Sequence, residues 1–184
     1  MNLPAFVDRL RARMPLLRAA VPIHARALVV VLAVGLCLAT FGPWLSLAVG
    51  VELPAWEAFA YSACGPFCHQ LSERSFQLAG HTAPLCTRCT GMWIGITIGV
   101  AIGVLVAWRR RWSVGIGTML IALALSEADH LREESGQPDW AWVRFWLGLI
   151  IFSGLTTAIS YDILALLVHG WRRLSGSSRR RDCA

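Results

Sequence analysis

The side chains able to do chemistry crowd into 26 residues, Cys64 to Cys89, which hold four of the six cysteines and two of the five histidines. The stretch reads C-G-P-F-C-H-Q-L-S-E-R-S-F-Q-L-A-G-H-T-A-P-L-C-T-R-C. Cys86-x-x-Cys89 has the spacing of a two-thiolate metal hook. Cys68 with His69, or Cys64 with Cys68, supplies the other half of a four-ligand zinc site. Four soft donors would neutralise a dication and tie down a loop with little core of its own. Two other chemistries use the same residues. Local disulfides, Cys64 with Cys68 and Cys86 with Cys89, suit an oxidising compartment. A thiol pair that cycles between oxidation states suits a C-x-x-C at a helix start, where the positive helix end would favour the Cys89 thiolate. His69 beside Cys68 favours the metal, because a redox pair does not require it.

These residues must be positioned by membrane helices. The chain is 56% hydrophobic and 15% charged over 184 residues, a composition of small integral membrane proteins. Four apolar runs qualify as spans: Ala27 to Val51, Thr90 to Trp108, Ser113 to Ser126, and Phe145 to Val168. The third is short for a crossing of roughly 20 residues and ends in Glu127, Asp129 and His130. The fourth is broken only by Asp162, which reads as a functional intramembrane acid or, the favoured expectation, as one half of a pair with Arg172 at the inner boundary. All seventeen basic residues are arginine, and thirteen of them lie before the first run, between the second and third, or after the fourth. By the positive-inside rule, both termini are cytoplasmic and the loops at 52–89 and 127–144 face out. The net charge of +6 is therefore a topology signal and not a nucleic-acid footprint. The first apolar run is too long for a cleaved signal peptide. The basic segment Leu3 to Ala20 reads as an amphipathic surface helix or a disordered arm. The tail after Gly176 reads as disordered. A loop thiol pair above a C-x-x-C in a four-helix bundle resembles the layout of quinone-coupled thiol oxidoreductases of the vitamin K epoxide reductase type.

Other polar residues fall on the same outer side. Glu127 and His130 are three apart and share a helix face. With Asp129 they are candidates for extra ligands, for a general base, or for a solvated helix end. Arg74, Arg88 and Arg144 can grip an anionic head group or pair with Glu73, Glu127 or Asp129. Gln70 and His81 are candidates to orient a ligand. Gly91, Gly95, Gly99 and Gly103 form one stripe on the second span, suited to close packing inside the bundle or to a second copy or larger membrane complex. Cys37, Cys183, His24 and His169 join no constellation.

The string Cys68-His69-Gln70, Glu73-Arg74-Ser75-Phe76, Gly80 and Cys86-x-Arg88-Cys89-x-Gly91 resembles the signature of domain-of-unknown-function family 2085, small membrane proteins of bacteria and archaea. The resemblance runs from about Tyr61 to Gly154 and includes Asp129, Arg144 and Gly148. Where other members show Asp-Gly, this chain has Asp129-His130. Cys64 lies outside the family pattern, so the resemblance implies Cys68, His69, Cys86 and Cys89 as the ligand quartet. It implies no activity.

The expected protein is an all-α bundle of four transmembrane helices in a bacterial inner membrane. It has a basic segment at 1–26, a membrane domain at 27–170 and a basic tail at 171–184. A cysteine-rich cap, with a turn of amphipathic helix at Leu71 to Leu78, would be stapled by zinc. Its function is metal binding with an outer-face polar cavity or an accessory-subunit role. The alternative is a quinone-coupled thiol–disulfide oxidoreductase. Candidates for chemistry beside the metal are Glu127, Asp129, His130, Arg88 and Arg144.

Overall fold

The computed structural model describes residues 21–105, 111–136 and 140–179. Among these, four helices are long and apolar enough to cross a membrane. Helix α1 is Ile23–Ser46. A short helix α2, Pro54–Cys64, follows, then a hairpin of β1, Ser75–Leu78, and β2, His81–Cys86. Helices α3, Thr87–Leu105, α4, Arg111–Glu134, and α5, Ala141–Arg179, complete the chain. The hairpin and α2 sit together at one end of the bundle, the cap end. The segment Leu3 to Ala20 lies outside the described residues.

Three expectations change. The third span is not short: α4 continues as helix through Glu127, Asp129 and His130 to Glu134. Its polar last turns are held by arginines from α3 and α5, so the helix need not stop where its apolar run stops. The tail is helical to Arg179. Leu71 to Leu78 is not an amphipathic helical turn. It is a 3-10 turn at Ser72–Arg74 followed by β1. The hairpin closes through Ala79 (φ 50°) and Gly80 (φ 82°), the paired positive φ values of a tight hairpin turn. Its register pairs Leu78 with His81 and Gln77 with Thr82, with an irregularity before Ser75 meets Cys86.

The glycine stripe is consumed inside the chain. Gly91, Gly95, Gly99 and Gly103 all face α5, and a methyl group at each would strike the backbone of Phe145, Leu149, Ser153 or Thr157. The stripe is therefore a helix–helix seam and not a free surface for a second copy. From α5, Gly148 answers it by admitting the carbonyl of Arg88. The two helices touch backbone to backbone at the cap end, which fixes where Arg88 and Arg144 stand.

Helix α1 packs less tightly and carries the cap. Pro43 lies inside it. Proline has no N–H, so the Ala39 carbonyl loses its partner four residues on. The Trp56 indole N–H of α2 donates to that carbonyl at 2.9 Å. Gly42 makes room for the indole ring, since a Cβ there would stand 3.0 Å from it. Trp44 donates to the His81 carbonyl at 3.2 Å and ties α1 to β2. At the other end, Trp112 donates to Asp162 at 2.7 Å. The expected pair of Asp162 with Arg172 falls on a side chain that lies outside the described residues.

Candidate metal centre and its cavity

Strand β2 runs directly into α3, so Cys86 is the last strand residue and Cys89 sits in the first helical turn. The chain must reverse at the hairpin to bring Cys68 back to them. Gln70 secures that return: its side-chain amide donates to the carbonyls of Tyr61 at 2.8 Å and Pro84 at 3.0 Å, bridging α2 and β2. The backbone N–H of Cys86 donates to the Cys68 sulfur at 3.2 Å. The sulfurs of Cys68, Cys86 and Cys89 lie within 4.8 Å of one another.

A zinc–sulfur bond of about 2.3 Å in tetrahedral geometry puts sulfurs about 3.8 Å apart, so the three thiols fit a metal with small adjustment. Their chemistry also fits: three soft donors, Cys68 buried and the other two half-buried. His69 is exposed and is not in the group. Cys64 is not in it either, but is 4% exposed and shares one buried cluster with Cys68, Phe41 and Leu85. Cys37 of α1 packs against that cluster together with Cys86 and Cys89. Five cysteines thus converge, all with free thiols. Cys37 has no sequence signal, because a single cysteine in an apolar run looks like any small hydrophobe.

The thiols differ. Cys86 is lowered to about 5, chiefly by a hydrogen bond from the Cys89 thiol. Burial opposes this, while the Cys89 N–H, the Cys68 thiol and the Arg88 N–H add to it. The first-turn amides of Arg88 and Cys89 reach the Cys86 sulfur. Burial, with Cys68 as neighbour, pushes Cys64 up.

A cavity of about 390 Å³ opens beside Cys86, lined by Arg74, Cys86, Thr87, Arg88, His130, Glu133, Glu134 and Arg144. It joins the thiol group to the polar end of α4. Asp129, 7% exposed, forms the base of this network. Its carboxylate takes Arg132 at 3.0 Å and lies 3.9 Å from Arg88 and 3.8 Å from Arg144. Glu133 bridges Arg144 and Arg74, the latter at 3.2 Å. His130 pairs with Glu134 at 3.5 Å. Arg88, His130 and Arg144 therefore do meet around one cavity, with Asp129 beneath them. Glu127 is exposed and does not line it. Sequence reasoning missed Glu133 as the arginine bridge, because it sat in a run of acids that reads as a solvated loop. His81 pairs with Glu57 at 3.4 Å, away from the thiols.

The family described as "Predicted membrane protein", domain of unknown function 2085, matches residues 68–163. The chain belongs to this family. The family match opens at Cys68, leaves Cys64 outside, and takes in the Cys86–Cys89 hook, Asp129, Arg144 and Asp162. An uncharacterized protein of Methanothermobacter thermautotrophicus is 50% identical over 28 residues, 15% of this chain and 25% of that protein. The match thus spans about a quarter of that relative's length. No solved structure matches.

Proposed function

We propose that this membrane protein binds zinc through Cys68, Cys86 and Cys89, with His69 or Cys64 as the fourth ligand, and that the cavity beside Cys86 receives a small or lipidic substrate. The observation that carries the reading is the convergence of three sulfurs within 4.8 Å from two segments 18 residues apart. A metal there would clamp the turn at Cys68 to the start of α3 and so hold the cap on the bundle. With four protein ligands such a zinc is structural. Substrate handling then falls to the cavity residues Arg88, His130 and Arg144, oriented by Asp129. An accessory-subunit role would use a surface other than the glycine seam. The cap end faces outward in this reading, across a cytoplasmic membrane, as the arginine distribution argues.

A second reading rests on Cys86 and Cys89 as a pair: they stand three residues apart with sulfurs within 4.8 Å, and the Cys89 thiol donates to the lowered Cys86. Oxidation of the Cys86 thiolate and the Cys89 thiol to a disulfide would give up two electrons and one proton, and with a second proton from water these would reduce a membrane quinone to its quinol. One experiment separates the readings: purification in mild detergent without chelator, then metal analysis and a free-thiol count. The zinc reading expects one zinc per chain, lost in Cys86→Ser. Absence of metal, with thiols appearing only after reduction, contradicts it and supports the redox reading.

A further inference from the structure

Helix α2 is built inside out for an element facing water. Its polar side chains turn inward: Glu57 pairs with His81 at 3.4 Å, and the Tyr61 hydroxyl donates to the Thr82 carbonyl. Its outward face is apolar. Phe59 is 64% exposed, Trp56 is 40% exposed, and Phe67 of the following turn is 74% exposed. Between them lie alanines, with Ser62 the one polar side chain on that face. Exposed aromatic residues in such a row are costly in water and stable in hydrocarbon.

The way α2 joins α1 points the same way. The carbonyl of Ala39, orphaned by Pro43, is satisfied by the Trp56 indole and not left to solvent. An unpaired carbonyl is tolerable where water reaches it and expensive in a bilayer. Ala39 lies seven residues before the end of α1, about 10 Å along the axis at 1.5 Å per residue. The helix that α2 packs against, α1, is long and apolar enough to cross a membrane and exposes Leu36, Leu38 and Leu45 around its surface, as a helix in lipid does.

We propose that α2 and the turn through Phe67 are embedded in the lipid leaflet at the cap end, their outward face covered by acyl chains. The segment is a re-entrant helix and not a water-exposed loop. It therefore holds Cys64 and Cys68, on its inward side, at the boundary between lipid and water. The claim stands whether or not a metal is bound.

The test replaces Phe59, and separately Phe67, with the photoreactive residue p-benzoylphenylalanine in the full chain reconstituted in phospholipid nanodiscs. Both sites are exposed, so neither replacement disturbs a buried contact. The same replacement at Glu73, on the exposed turn before β1, is the aqueous control. Irradiation followed by intact mass spectrometry is expected to add the mass of one phospholipid at positions 59 and 67 and none at 73. Three results overturn the proposal: a covalent homodimer through position 59, no lipid adduct at 59 or 67, or adducts equal at all three positions.

Discussion

The amide nitrogen of Cys86 donates to the sulfur of Cys68 at 3.2 Å. This one bond brings a residue at the end of β2 against a residue at the end of the α2 turn, across 18 positions of sequence. The amide fixes where the Cys68 sulfur stands, beside the sulfurs of Cys86 and Cys89. The same contact closes the cap before any ligand is added.

Cys86 is the thiol that is lowered. Its folded value of about 5 lies below the ordinary thiol range, so folding favours the ionised form. The corresponding stability is present above the ordinary thiol range and is lost as pH falls through about 5. In metal-free protein, alkylation of Cys86 by neutral iodoacetamide, followed by peptide mass spectrometry, is expected to keep its full rate to below pH 6. A midpoint near pH 8.5, the unperturbed thiol value, would contradict this.

Asp129 is buried beneath Arg88, Arg132 and Arg144. Its removal takes the buried carboxylate from between Arg88, Arg132 and Arg144, and Arg144, itself 5% exposed, keeps Glu133. Asp129→Ala is expected to cost about 3–5 kcal/mol, read as a lower thermal midpoint in detergent. Glu127→Gln, on the exposed side of the same helix, is expected to stay within about 0.5 kcal/mol. Equal effects would mean that the network does not anchor α4.

The seam between α3 and α5 depends on missing side chains. A methyl at Gly95 would overlap the backbone of Leu149, whereas one at Gly35 of α1 meets nothing within 4 Å. Gly95→Ala is expected to destabilise by about 1–3 kcal/mol, and Gly35→Ala to be neutral or to stabilise by about 0.5–1 kcal/mol. Thermal unfolding of both variants in the same detergent checks the difference in sign.

The Trp56 indole supplies the hydrogen bond that Pro43 denies to Ala39. Trp56→Phe keeps most of the ring and removes the donor, so it is expected to cost about 1–3 kcal/mol. The double variant Trp56→Phe, Pro43→Ala restores a backbone N–H to that carbonyl and is expected to recover part of the loss. Additive losses in the two variants would contradict the pairing.

The sequence made the long elements legible and hid the short ones. Four apolar runs marked the spans, and Cys86-x-x-Cys89 beside the second run placed the hook at a helix start. The end of α4 was hidden because Glu127 to Glu134 looks like solvent-facing loop unless the arginines of α3 and α5 are known to lie over it. The hairpin was hidden because its turn uses Ala79 before Gly80, not the asparagine or aspartate that usually announces paired positive φ values. The glycine stripe announced a close contact but not its partner. Only the fold shows that α5 fills it. Cys37 could be placed only by tertiary packing.

X-ray absorption at the zinc edge, on protein purified without added metal or chelator, tests the central claim most directly. Bound zinc with a first shell dominated by three or four sulfurs at about 2.3 Å is expected. Zinc in a shell of nitrogen and oxygen alone, or protein that binds no metal, would contradict it.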